Sequence, residues 1–419
     1  MNGRERTAAA VNHREPDRIP FDLGGTNTTG IHVSAVAALR DYYSLEKKPV
    51  TVHEPLQMLG WIDDDLKEAI GIDTECVFPP KTNFGYANDN WKTWRMFDGL
   101  EVLVGGGFAV TYDSNGDALI HPQGDVSAPP SGRMPKDGYF FDAIIRQPPL
   151  DEEKLDPQDN LEEYGPISEA DIDYYRKAVE KAAASGRAVI AAFGGTSFGD
   201  IARVPGTSLK YPKGIRDVSE WYMSIAARPD YVEEVFSRQC DIALANLARI
   251  HAAVGDAVDI AFICGTDFGA QQTSFCSVET FRRLYKPYYK KVNDWIHRNT
   301  KWMTFKHSCG AVEKFLEDFI DAGFDIFNPV QCSAAGMAPE RLKEKYGDRL
   351  VFWGGGVDTQ KTLPFGTPQQ VREEVLRRCE IFAPGGGFVF NPVHNIQART
   401  PMENIVAMIE ALKEFNGGQ

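Results

Sequence analysis

The chain has 419 residues, 43% of them hydrophobic, which is enough to bury a large core and too many for a largely disordered polymer. A formal net charge of −14 repels nucleic acid and anionic membrane surfaces and leaves small molecules or basic protein patches as partners. Seven cysteines without framework spacing predict a reduced compartment, residues 1–14 carry no apolar h-region, and no run of about 18 apolar residues occurs, so a cytoplasmic protein is expected.

Two short strands are expected early, over Arg18–Asp22 and Glu75–Phe78. Residues 84–164 then break the pattern. Trp91–Phe97, Glu101–Val104, Phe108–Tyr112 and Ala118–His121 are separated by Asp98-Gly99 and Asn115-Gly116, which are hairpin turn pairs, and a Pro- and Asp-rich connection follows. This reads as a small inserted antiparallel β meander, placed as a roof over the strand C-termini, where loops carry function. Trp91, Trp94 and Phe97 are candidates to stack on an aromatic substrate, or else to pack the insert.

From residue 187 short apolar runs alternate with amphipathic stretches at βα spacing. The runs are Ala188–Ala192, Ile260–Ile263, Trp302–Phe305, Phe324–Phe327, Leu350–Trp353 and Gly387–Phe390; the helices are Ser277–Arg298, Val312–Ala322, Pro339–Tyr346, Pro368–Phe382 and Pro401–Phe415. Thr367-Pro368 and Thr400-Pro401 each place a capping hydroxyl before a proline at the first helical position. With the two early strands these runs make eight, and the expected fold is α/β, a (β/α)8 TIM-type barrel forming one domain over residues 1–419.

In such a barrel the polar clusters after each strand converge on one mouth. His307 and Cys309 follow the run Trp302–Phe305, and in an extended segment side chains two apart point the same way. Both are soft metal donors, and His394, which leaves Phe388–Phe390 in the same manner, is the third expected ligand of a zinc site. Cys332, Gln331, Asp267 or Glu279 could complete it; a buried core histidine and a packed thiol remain the ordinary alternative. Gly354, Gly355 and Gly356 follow a strand and would allow close approach of a bulky cofactor, whereas Gly385–Gly387 precede one and read as a tight turn.

Pro16-Asp17-Arg18-Ile19-Pro20, His307-Ser308-Cys309-Gly310, Ala322-Gly323-Phe324-Asp325, Trp353–Val357, Phe365-Gly366-Thr367-Pro368 and Arg399-Thr400-Pro401 with Glu403-Asn404-Ile405 together resemble the uroporphyrinogen decarboxylase superfamily. Within it the chain is most similar to the zinc-dependent methyltransferases that act with corrinoid proteins. In that branch the His-x-Cys-Gly pair and a later cysteine just before the Arg-Thr-Pro segment bind zinc; here His394 stands in the later position. True uroporphyrinogen decarboxylases carry an N-terminal Met-Arg-Gln-Ala-Gly-Arg segment that grips propionates, where this chain has Phe21-Asp22-Leu23-Gly24-Gly25-Thr26.

The resemblance implies a methyltransferase that moves a methyl group from a small methylated substrate, such as a methoxylated aromatic, to a separate corrinoid protein. Zinc on His307, Cys309 and His394 would act as Lewis acid, with Asp267 or Glu279 protonating or orienting the departing group. The chain lacks the Asp-x-His-x-x-Gly pattern that supplies a lower cobalt ligand, so the corrinoid is expected on a partner. Two alternatives stand beside this: a decarboxylase-like enzyme on another acid, for which Arg203, Lys210, Lys213 and Arg216 form the basic cluster, and a noncatalytic corrinoid or tetrapyrrole binder.

Overall fold

The computed structural model describes residues 1–417. Seven strands pair in parallel, in chain order, as one curled sheet: β1 Thr74–Val77, β2 Ala188–Ala191, β3 Ile260–Cys264, β4 Met303–His307, β5 Ile326–Asn328, β6 Val351–Trp353 and β7 Phe388–Val389. Helices cover the outer face, so these strands are buried on both sides and read as continuous apolar runs rather than alternating ones. Ile190, Ile260, Phe305, Ile326, Val351, Trp353 and Val389 fill the interior as one cluster. Ala10 and Val11 of the helix Gly3–Val11 join that cluster, closing the end where the strands begin.

The eighth place is filled by very little chain. Phe390 N–H donates to the Pro20 carbonyl (2.9 Å), Asp22 N–H to the Phe390 carbonyl (2.9 Å), and Asp73 N–H to the Phe21 carbonyl (2.8 Å). The strand expected over Arg18–Asp22 is therefore reduced to a bridge at Phe21, because Pro20 has no N–H to continue a ladder. Side chains complete the seam. Asp22, wholly buried, accepts from Thr74 Oγ1 (2.7 Å), Trp353 Nε1 (2.8 Å) and Gly25 N–H (2.9 Å). At the other end Asp73 accepts from Phe21 N–H (3.0 Å), Arg6 Nη1 (2.6 Å) and Arg18 Nη2 (3.0 Å).

The helices Pro339–Tyr346 and Pro368–Phe382 lie where the sequence puts them, and the second carries a reciprocal capping box between Thr367 and Gln370. Three others differ. The stretch expected over Ser277–Arg298 breaks at Tyr285 into Val278–Leu284 and Lys286–Asn299, since Pro287 can neither donate to the preceding turn nor sit inside a continuous helix. Val312–Ala322 shortens to a 3-10 turn, Glu313–Phe315, followed by Leu316–Asp321. Thr400 is not a cap: its hydroxyl donates to the Gln397 carbonyl (2.9 Å), and Pro401 is itself the cap of Met402–Phe415.

The expected hairpins at Asp98-Gly99 and Asn115-Gly116 are present, but they belong to two sheets rather than one meander. Glu101–Val104 pairs antiparallel with Lys92–Arg95 and parallel with Val50–Glu54, which in turn pairs with Leu59–Gly60. Val110–Tyr112, Ala118–Ile120, Gly132–Met134 and Asp142–Ala143 form the second sheet. Both lie against loops that leave the C-terminal ends of barrel strands: Thr207 Oγ1 donates to the Asn83 carbonyl (2.6 Å), Lys210 Nζ meets Asp125 (2.7 Å), and Asn395 Nδ2 donates to Gln57 Oε1 (2.9 Å).

Replacing Asp73 tests the seam. Asp73→Ala leaves the buried Arg6 guanidinium without one of its two carboxylate partners and the Phe21 N–H without an acceptor, a loss of about 3 kcal/mol. A thermal melt of Asp73→Ala should fall by several degrees relative to wild type; an unchanged melt would show that the seam is not stability-limiting.

Candidate metal centre

His307 ends β4, and its parallel register sets it directly beside Asn328, the last residue of β5. Asn328 Nδ2 donates to the Trp353 carbonyl (2.8 Å), which turns its Oδ1 toward His307 Nδ1 at 2.5 Å. The ring proton therefore lies on Nδ1, and the lone pair on Nε2 faces the barrel mouth. Cys309, two residues on and just past the strand end, places its Sγ 3.4 Å from that Nε2.

His394 arrives from the loop after β7, and its ring lies 5.4 Å, centre to centre, from that of His307. Its loop is held on both sides. Asn395 accepts from Gly30 N–H (2.5 Å) and donates to the Asn27 carbonyl (2.8 Å), while Asn391 Nδ2 donates to the Asp22 carbonyl (2.9 Å). Asn395 N–H donates to His394 Nδ1 (2.8 Å). One ligand atom each from His307, Cys309 and His394 lie within 4.8 Å of one another, a spacing that a single ion between them can draw in.

Burial lowers His307 to about 3, and burial with His307 as neighbour lowers His394 to about 4, so both rings are neutral donors at ordinary pH. Burial, together with the nearby Asp267 charge, pushes the Cys309 thiol well above its usual range. The three are thus uncharged as they stand, which is how polar ligands are tolerated where His307 is buried and Cys309 and His394 are half-buried, and a dication would deprotonate the thiol. The donor set fits zinc: two imidazoles and one thiolate, with a position left over.

Asp267, in the loop after β3, has Oδ1 at 3.7 Å from His307 Nε2 and accepts from Cys309 N–H (2.7 Å). Burial raises its carboxyl toward the neutral form. Of the four residues proposed to complete the site, it alone makes such a contact among the described residues. Gln331 is occupied with Gly310 N–H (2.8 Å) and Gln271 (2.9 Å), and Cys332 Sγ donates to the Val330 carbonyl (3.3 Å). Glu279 sits exposed in the first turn of Val278–Leu284, where its carboxylate faces its own backbone and Ser277; the fold does not bring it to the centre.

The expectation for Gly354, Gly355 and Gly356 is also corrected. All three are buried against protein: a Cβ at Gly355 would stand 2.8 Å from Val330, and one at Gly356 would stand 2.3 Å from the Phe390 ring. They permit neighbouring strand ends to close on one another rather than cradle a cofactor. Trp94 packs on Phe108 (5.2 Å), Phe97 on Tyr139 (4.9 Å), and Trp91 is exposed.

Two residues that complete the centre had no assigned role in the sequence. Asn328 was visible only as a polar strand end; its partner across the register was not. Lys306 points to the opposite face of β4, wholly buried, donates to the carbonyls of Thr266 (2.6 Å) and His307 (2.5 Å), and lies over the Phe268 ring at 4.9 Å. It ties the ends of β3 and β4 together, and a lysine inside an apolar run was the available signal.

Comparison with known proteins adds to this geometry. The family model described as uroporphyrinogen decarboxylase (URO-D) matches residues 140–415. The uroporphyrinogen decarboxylase of Methylococcus capsulatus is 31% identical over 103 residues, 25% of this chain and 27% of that protein. "Methylcobamide:CoM methyltransferase MtaA" of Methanosarcina barkeri is 27% identical over 183 residues, 43% of this chain and 50% of that protein. These alignments thus span a quarter to a half of the relatives' lengths. A solved structure described as a methyltransferase from Methanosarcina mazei superposes over 99% of both chains with TM-score 0.54 and 17% identity, which matches the TIM-type barrel fold. With the family model covering well over half of its residues, the chain belongs to the uroporphyrinogen decarboxylase family.

Proposed function

We propose that the chain is a zinc-dependent, cytoplasmic methyltransferase of O-demethylase type, which passes a methyl group from a small methylated substrate to a separate corrinoid protein. The observation that carries this reading is the convergence of His307, Cys309 and His394 at the mouth of the barrel. The partial likeness to a methylcobamide-dependent methyltransferase supports it, as does the absence of any disulfide among the described residues. No helix among those residues is long and apolar enough to cross a membrane.

His307, Cys309 and His394 would hold the zinc, with Asp267 beside them. When bound, zinc would supply Lewis acidity toward the heteroatom that carries the methyl group. The chain's own residues do the rest. Asn328 fixes the His307 tautomer, and Cys309 gives up its proton to become a ligand. Asp267, which accepts from Cys309 N–H beside the site, could protonate or orient the departing heteroatom. The decarboxylase alternative draws on a basic cluster of which half is neutralised: Lys210 pairs with Asp125 and Arg216 with Glu162 and Glu163.

Metal analysis by plasma mass spectrometry should find about one zinc per chain in wild type and much less in His307→Ala, Cys309→Ser and His394→Ala. Protein purified without chelator that holds no metal, even after reloading, would sink the reading. Asn328→Leu, which removes the acceptor for His307 Nδ1–H without touching the metal position, should weaken zinc binding by about 10- to 100-fold in competition with a chelator.

Zinc binding near pH 7 should release about one proton, from Cys309, because its thiol is raised while the two imidazoles are already neutral. Affinity should consequently rise with pH through neutrality. Calorimetry in buffers of different ionisation enthalpy counts the proton, and Cys309→Ser should release none.

A further inference from the structure

Of the basic residues Arg203, Lys210, Lys213 and Arg216, Lys210 and Arg216 are committed to acids, and Arg203 and Lys213 are exposed. The Arg203 guanidinium makes no hydrogen bond or ion pair with any described residue. It lines a cavity that opens to solvent, whose floor includes Ile190 and Phe262 of the barrel interior with Phe78 and Ile263 beside them. Asn27 lines the same cavity, and its side-chain oxygen is shut off from solvent without a hydrogen-bond partner.

The cavity adjoins the metal centre. Phe262 packs on Phe305 at 5.5 Å, and Phe305 is two residues before His307 on the same face of β4. Asp200, three residues before Arg203, lies against Gly265, with Oδ2 3.2 Å from where a Cβ would stand, two residues ahead of Asp267.

We propose that this cavity is a subsite for a small apolar molecule bearing a carboxylate, with Arg203 as its anchor. This rests on the methyl-transfer reading only in naming what the molecule is: the methylated substrate, bound by its anionic end. A planar guanidinium matches a carboxylate bidentately, and the apolar floor takes the body of the ligand. The acids nearest Arg203 do not satisfy it. Glu54 accepts from Leu56 N–H (3.0 Å), Gln57 N–H (2.8 Å) and Asn83 Nδ2 (3.2 Å), and Asp200 from Ala202 N–H (3.0 Å). Burial raises both carboxyls toward their neutral forms, leaving the Arg203 charge for a ligand. In a chain of net charge −14 an anionic substrate needs such a local cation.

Titration calorimetry on the zinc-free full chain tests this with benzoate and its uncharged isostere benzamide. Benzoate should bind wild type more tightly than benzamide does. Arg203→Gln should weaken benzoate by about tenfold or more while leaving benzamide unchanged. Because the Arg203 side chain is exposed and makes no hydrogen bond or ion pair with any described residue, the variant should melt with wild type. Equal binding of the two ligands, an unaltered benzoate affinity in Arg203→Gln, or no binding at all would overturn the subsite. Zinc content is read separately: benzoate binding in a chain that takes up no zinc would keep the subsite and remove the methyl-transfer reading, and the reverse result would do the opposite.

Discussion

Every strand of the barrel pairs parallel with its neighbours, so each must return to the starting end through a helix, and all strands leave the sheet at the same end. That constraint gathers residues 22, 267, 307, 328 and 394 at one mouth although they span most of the chain. The same register sets Asn328 beside His307 and thereby decides which imidazole nitrogen is free. A shift of one residue between β4 and β5 would turn every side chain over and leave both ligands of β4 facing the helices.

His307 is buried and Cys309, His394 and Asp267 are half-buried, so the electrostatics of the mouth follow from desolvation. His307 and His394 are held neutral, and the Cys309 thiol and Asp267 carboxyl are held toward their protonated forms. A centre built this way costs little to bury empty and gains much from a cation. The charged groups that do enter the region are tied down: Lys306 by two carbonyls and an aromatic face, and Asp22 by three donors across the closing seam. Arg203, exposed at the cavity and without a hydrogen bond or ion pair among the described residues, is the group to which the proposed ligand is assigned.

The sequence made the parallel barrel legible because its signal is local. Buried parallel strands are uninterrupted apolar runs, and β2 to β7 fall on the runs Ala188–Ala192 to Gly387–Phe390 within a few residues. The approach of His307 to Cys309 was legible in part, since residues two apart in an extended segment share a face, although Cys309 lies past the strand end and is held there by Asp267. Less legible were features that depend on a neighbour distant in sequence. The eighth strand position is a three-residue seam around Phe21, and the insert divides into two sheets because Val50–Glu54, well before it, pairs with Glu101–Val104. Gly354–Gly356 looked like a cradle because a glycine run does not say what fills the space beside it; Val330 and Phe390 do.

What the amino-acid sequence by itself determined was therefore the order and type of most elements, the burial of the strands, and the candidacy of His307, Cys309 and His394. Those rest on hydrophobic periodicity and donor chemistry, which act over a few residues. The tertiary structure alone decided that the three approach within 4.8 Å, that Asp267 joins them while Glu279 stays at the surface, and that Arg203 is left unpaired. Each of these depends on register and on loops that meet across the barrel mouth, where the distance in space bears no relation to the distance along the chain.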